Sequence, residues 1–259
     1  MDLGLHGKWA VVCGASKGLG FACAQALANE GVNLVINSRT SQTLDQAAKS
    51  LRDSTGVEVL AVAADISDPS GQASVLAAAP QVDILVTNAG GPPPGDFRDF
   101  DRTHWIKAVE QNMITPIELI KAVVDGMIER KFGRIVNITS TSVKAPVDGL
   151  CLSNGARAGL TGFIAGVSRE VASHNVTINN LLPGKFNTDR LLNNIAKRAA
   201  AHGRTLEEEL AFQAQSIPAG RIGVPPEFGH ACAFLCSSHA GYITGQNLVI
   251  DGGAFRGVL

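Results

Sequence analysis

Cys13-Gly14-Ala15-Ser16-Lys17-Gly18-Leu19-Gly20 closes an apolar run that starts at Trp9 and leads into a helical stretch. Glycines at 14, 18 and 20 let the chain turn sharply and bring its backbone close to a ligand. The helix start beyond them offers free N–H groups and the positive end of its dipole. A strand, this loop and a helix in succession predict a cradle for the pyrophosphate of a dinucleotide. The same stretch decides the fold, because it is the first βα step of a parallel sheet.

Outward from this loop the βα alternation repeats. Strands are read near residues 9–13, 33–37, 58–63, 84–87, 134–138, 177–182 and 247–250. Helices are read at 19–30, 41–54, 69–79, 101–129, 153–173 and 226–236. Most of the strands read as apolar throughout, as expected where helices cover both faces of a sheet. The predicted fold class is α/β: a doubly wound, seven-stranded parallel sheet of Rossmann type in three αβα layers. Residues 1–259 read as one domain, interrupted only by a small helical flap at about 185–221. Within it, Thr205-Leu206-Glu207-Glu208 spells a capping box. Gly90-Gly91-Pro92-Pro93-Pro94-Gly95 follows the fourth strand, where a parallel sheet faces its ligand; a stiff loop accounts for it equally.

Composition narrows the ligand. The net charge is −1 with 17% charged residues, so no basic surplus points to nucleic acid or an anionic membrane, and a small-molecule partner is expected. The five cysteines lack zinc-like spacing; reduced, buried thiols and no metal site are expected. No leader-like segment precedes Trp9 and no apolar run approaches ~18 residues, so a cytoplasmic location is expected. The second strand ends Asn37-Ser38-Arg39, without the carboxylate that accepts from the ribose 2′-hydroxyl of NAD. Arg39 and Lys17 could clamp a 2′-phosphate instead, or be solvated surface charges; NADP(H) is favoured, with NAD(H) possible.

The glycine spacing at 14, 18 and 20 resembles that of the short-chain dehydrogenase/reductase family, and further landmarks agree in order. They are Asp65-Ile66, Asn88-Ala89-Gly90, Asn112, Asn137-Ile138-Thr139-Ser140, Pro183-Gly184, Ile217-Pro218-Ala219-Gly220-Arg221, Thr244-Gly245-Gln246 and Asp251-Gly252-Gly253. The resemblance covers nearly the whole chain and is nearest to the 3-oxoacyl-(acyl carrier protein) reductase-like members. It implies that Gly14, Ser16, Lys17, Gly18, Leu19 and Gly20 hold the pyrophosphate and that Asp65 and Ile66 flank the adenine. Asn88, Ala89 and Gly90 would line the ribose, and Pro183, Gly184 and Thr188 would border the nicotinamide. It also implies a homotetramer built on the two long helices and the C-terminal strand.

One departure bears on activity. In this family a catalytic tyrosine lies thirteen residues after the catalytic serine, with a lysine four further on. From Ser140 these positions hold Ser153 and Arg157, and the following Ala158-Gly159-Leu160 fits the family register. The lone tyrosine, Tyr242, lies far along the chain. An aliphatic hydroxyl is a far weaker acid than a phenol, and a guanidinium keeps its proton, so the usual proton donor is missing. Ser140 can still bond a carbonyl oxygen, Asn112 can hold a water, and Arg157 can reach the nicotinamide ribose. Lys185 and Lys144 are candidate replacement donors if desolvation lowers their pKa, or ordinary loop lysines. Ser153 is also a candidate N-cap of its helix.

The expected function is NADP(H)-dependent reduction of an aldehyde, ketone or 3-oxoacyl compound through an atypical site. The alternative is an NADP(H)-binding pseudoenzyme that serves as sensor, scaffold or partner subunit. The flap mixes Phe186, Leu191, Leu192 and Ile195 with Arg190, Lys197, Arg198 and Arg204, which fits an anionic or acyl substrate and equally an ordinary amphipathic helix.

Overall fold

The computed structural model describes residues 1–258. Its strands are β1 (Trp9–Val12), β2 (Asn33–Ser38), β3 (Val59–Ala63), β4 (Ile84–Thr87), β5 (Gly133–Ile138), β6 (Val176–Pro183) and β7 (Asn247–Ile250). They form one sheet in the order β3-β2-β1-β4-β5-β6-β7, and every neighbouring pair is parallel. The strand order reverses between β1 and β4, which opens the crevice where such sheets bind ligands.

Helices α1 (Gly18–Asn29), α2 (Ser41–Thr55) and α9 (Pro225–Cys236) contribute to the core on one face; α3 (Pro69–Ala77), α5 (Thr115–Glu129) and α6 (Cys151–Val171) contribute to the core on the other. Side-chain alternation feeds both layers. Ala10 and Val12 join the first core, and Trp9 and Val11 the second. All seven expected strands are present, with boundaries displaced by at most about one residue from the sequence reading.

Several expectations need correction. The strands are not apolar throughout: Asn37, Asn137, Asn179 and Asn180 are buried within them. Each finds partners, as burial demands. Asn37 donates to the carbonyls of Val62 and Ala64 at 2.9 and 3.0 Å, and Thr87 donates to Asn137 Oδ1 at 2.7 Å. The expected helix 101–129 is divided: α4 (Arg102–Val109) and α5 are joined by a π turn, Glu110–Ile114, that contains Asn112. Helix α6 begins at Cys151 with Leu150 as its N-cap, so Ser153 lies inside the first turn and is not the cap.

The flap carries two helices, α7 (Asp189–Ala201) and α8 (Leu206–Gln215), the second opened by the expected Thr205/Glu208 capping box. Its two ends are tied together. Gly223 donates to the Lys185 carbonyl at 3.0 Å, and Asn187 donates to the Gly223 carbonyl at 2.8 Å. At the exit, Arg221 grips Glu227, which also accepts from the Val224 N–H at 2.9 Å. The Arg221 guanidinium is the main reason that the Glu227 carboxyl is pulled down to about 2.

Arg134 is 1% exposed at the start of β5 and donates to the carbonyls of Ser237, Gly133 and Asn175 at 3.1, 2.8 and 2.8 Å. It ties the paired starts of β5 and β6 to Ser237 after α9, which no strand pairing reaches. Arg134→Met should lower the unfolding free energy by roughly 2–3 kcal/mol, because buried carbonyls lose a charged donor; urea denaturation measures it. For Glu227 the folded pKa lies below the unfolded one, so its stabilisation is complete above 4.5 and fades as pH falls toward about 2. Thermal melts across that range should show a shallower acid dependence in Glu227→Gln than in the parent.

Candidate active site

The crevice begins with a close backbone approach. A methyl group added at Gly20 would lie 2.3 Å from the Gly14 carbonyl oxygen and 2.8 Å from Asn88 Nδ2. Gly14 and Gly18 adopt φ of 58° and 63°, which a side chain disfavours. Asn88, at the end of β4, donates from Nδ2 to the Gly14 carbonyl at 3.3 Å and holds the loop against the switch point. Lys17 occupies the N-cap position of α1 without a side-chain cap, so no side chain engages the first-turn N–H groups there. Small residues, an uncapped helix start and a pinned loop together fit a pyrophosphate.

Along the crevice, Asp65 Oδ1 accepts from the Ser67 N–H and hydroxyl at 3.0 and 2.7 Å. These bonds chiefly, and Arg39 to a lesser degree, hold the Asp65 carboxyl below its usual range. Arg39 is exposed at the end of β2 and makes no ion pair among the described residues, whereas Lys17 meets Asp189 of the flap at 3.1 Å. Both partners of that pair are largely exposed, so it is weak and exchangeable. A cavity of about 470 Å³ lies beside it, lined by Phe21, Gln25, Thr188 and Pro225 among others, on the outer side of α1 and away from Ser140.

At the other end, Ser140 follows β5 and its Oγ accepts from the Ser142 N–H at 3.1 Å, leaving its own proton to donate. Ser153 and Arg157 are 8% and 7% exposed on α6. Arg157 points to the ends of two strands: Nη1 donates to the Ile138 carbonyl at 2.9 Å and Nη2 reaches the Ala89 carbonyl at 3.5 Å. Burial, and secondarily the nearby Arg190, bring its pKa down to about 10, so it remains a cation at neutral pH. Asn112 Nδ2 donates to the Ala108 carbonyl at 3.3 Å while its buried Oδ1 has no protein partner. π turns often mark functional positions, and no sequence signal announces this one.

The candidate replacement donors are placed elsewhere. Lys185 donates to Gln213 Oε1 and Ser216 Oγ on the flap, and burial lowers its pKa. Lys144 lies over the Phe255 ring at 5.7 Å from its centroid. Neither is hydrogen-bonded to Ser140 or Ser153. Tyr242 is fully exposed. At the end of β6, Gly184 packs against Asp251, and Thr188 Oγ1 accepts from the Leu191 N–H at 3.4 Å as the N-cap of α7.

The short chain dehydrogenase family profile matches residues 8–199. The chain belongs to the short-chain dehydrogenase family. Among its relatives, the 3-oxoacyl-[acyl-carrier-protein] reductase FabG of Vibrio cholerae is 36% identical, over 98% of this chain and 99% of the relative. The NADPH-dependent reductase BacG of Bacillus subtilis is 31% identical, over 97% and 99%. The L-sorbose reductase of Gluconobacter frateurii, solved with NADPH and L-sorbose, superposes with a TM-score of 0.95 at 30% identity and covers both chains in full. Among the described residues no helix is long and apolar enough to cross a membrane.

The glycine cradle leads to a direct expectation. Gly20→Ala forces a methyl into the Gly14 carbonyl, so calorimetric titration with NADPH should show affinity reduced at least tenfold, about 1.4 kcal/mol or more.

Proposed function

We propose that this short-chain dehydrogenase is an NADP(H)-dependent reductase of a small carbonyl compound, acting as one Rossmann-type domain with the flap as its substrate cover. The observation that carries this reading is the cradle at Gly14, Gly18 and Gly20, pinned by Asn88 at the point where the strand order reverses. Similarity to reductases named for NADPH or solved with it supports the cofactor.

In this reading Gly14, Ser16, Lys17, Gly18, Leu19 and Gly20 receive the pyrophosphate, and Arg39 receives the 2′-phosphate in preference to the bare hydroxyl of NAD(H). Asp65 and Ile66 flank the adenine; Asn88, Ala89 and Gly90 line the ribose; Pro183, Gly184 and Thr188 border the nicotinamide. Bound NADPH supplies a hydride. The protein's part is to hold the carbonyl oxygen and deliver a proton. Ser140 donates a hydrogen bond to that oxygen, and the buried Arg157 cation stabilises the negative charge that develops there. Ser153 passes a proton from solvent water, with a further water held at Asn112. Lys185 is not required, because its donors are engaged by Gln213 and Ser216.

The Ser153 and Arg157 replacements also motivate a second reading, in which the chain binds NADP(H) and acts as a sensor, scaffold or partner subunit without turnover. Exposed Trp105 and Ile106 on α4 and Leu248 on the edge strand β7 support association into a homotetramer; light scattering should give four chains. NADPH oxidation with a panel of aldehydes, ketones and 3-oxoacyl thioesters separates the two readings, since turnover is expected from the reductase and none from the pseudoenzyme. General acid catalysis is worth ~10² to 10⁴ in rate, so Ser153→Tyr with Arg157→Lys should raise kcat by at least about tenfold.

A further inference from the structure

Arg190 lies on the first turn of α7 and reaches across the crevice to the loop after β4. A methyl added at Gly91 would meet Arg190 Nη2 at 2.6 Å and Nη1 at 2.9 Å, so the guanidinium occupies the space that a side chain at residue 91 would take. The second guanidinium, that of Arg157, bonds the carbonyl of Ala89, two residues earlier. Two residues of chain span at most about 7 Å, so both cations lie near the same strand end.

Neither has a counter-ion. Among the described residues Arg157 and Arg190 form no ion pair, and Asp189, the carboxylate adjacent to Arg190 in sequence, is turned to Lys17. Their mutual repulsion contributes to the lowered pKa of Arg157. Of the other basic residues of the flap, Arg204 pairs with the buried Glu209 at 2.9 Å and Lys185 is bonded to α8, whereas Lys197 and Arg198, further along α7, form no ion pair among the described residues. Two like charges held together, one of them buried, cost free energy unless an anion joins them.

We infer that Arg190, with the Arg157 cation close by, forms a carboxylate-recognition site, and that the carbonyl substrate is a short oxo acid whose carboxylate lies one or two carbons from the reacting carbonyl. This rests on the reductase reading above and adds the substrate class. Ser140 and Ser153 receive the carbonyl oxygen, and Arg190 grips the carboxylate as the flap closes. Planar, two-pronged guanidinium contacts suit a carboxylate and discriminate against its neutral ester.

The test uses the whole protein with 2-oxobutanoate and 3-oxobutanoate, each against its methyl ester. Calorimetric titration of these four compounds into the NADP⁺-loaded protein should show each acid binding about 10- to 100-fold more tightly than its ester, and NADPH oxidation should show the same order in kcat/KM. Arg190→Met, an exposed position that leaves the fold intact, should collapse the acid-over-ester preference while the NADPH dissociation constant stays within about twofold. Arg190→Lys should restore part of the preference. Equal binding of acids and esters with NADP(H) bound overturns the inference and leaves the reductase reading standing. So does a loss of NADPH affinity in Arg190→Met with the preference unchanged, which would make Arg190 a cofactor contact. Failure of the parent protein to bind NADPH overturns the reductase reading itself.

Discussion

The contact on which the crevice depends is the approach of Gly20 to the Gly14 carbonyl, with the Asn88 amide clamped on the same oxygen. It joins the end of β1 to the end of β4 at the point where the strand order reverses, and it leaves the start of α1 facing the gap. A wider loop would move the N–H groups and the dipole away from an anionic ligand, and both effects fade within a helical turn. In the reductase reading, this one close packing sets where a dinucleotide would sit.

The end of the crevice near Ser140 carries a buried cation, Arg157, beside a serine at the position of the family's phenol. Arg157 keeps a positive charge where the family places lysine, and it spends donors on the carbonyls of Ile138 and Ala89, so its guanidinium is fixed and not free to wander. With a pKa of about 10 it offers electrostatic stabilisation at neutral pH and no proton transfer. Ser153 next to it is small and polar, which leaves room for water where an aromatic ring would stand. In the reductase reading, proton delivery falls to solvent and charge stabilisation to the arginine. A second guanidinium on the flap, that of Arg190, extends this positive surface over the Gly91 backbone.

Much of this was legible before any coordinates. The glycine loop at 13–20, the βα rhythm and the landmarks from Asp65 to Gly253 predicted the parallel sheet, its strand positions and the crevice. The errors share a cause. Most strands were expected to be apolar throughout, yet Asn137 and Asn179 are buried in them, because their partners come from distant segments: Thr87, Ile243 and Gln246 are remote in sequence. The π turn at Asn112 is a change of one hydrogen-bond register within a helix, set by packing against α6, and residue spacing does not encode it. Ser153 looked like a cap because a serine opening a polar-to-apolar transition commonly is one, yet the helix had already begun at Cys151.

By itself the sequence determined the fold class and the glycine loop, and it shows a serine and an arginine where the family resemblance places tyrosine and lysine, since all of these are carried by local spacing. Only the tertiary structure decided what the charged residues do. Lys17 turns to Asp189, Lys185 to α8, Arg39 to no carboxylate, and Arg190 crosses to Gly91 beside Arg157. The reason is physical: a backbone turn depends on neighbours in the chain, but the role of a charge depends on which opposite or like charges the folded chain brings within a few ångströms, and those come from segments far apart in sequence.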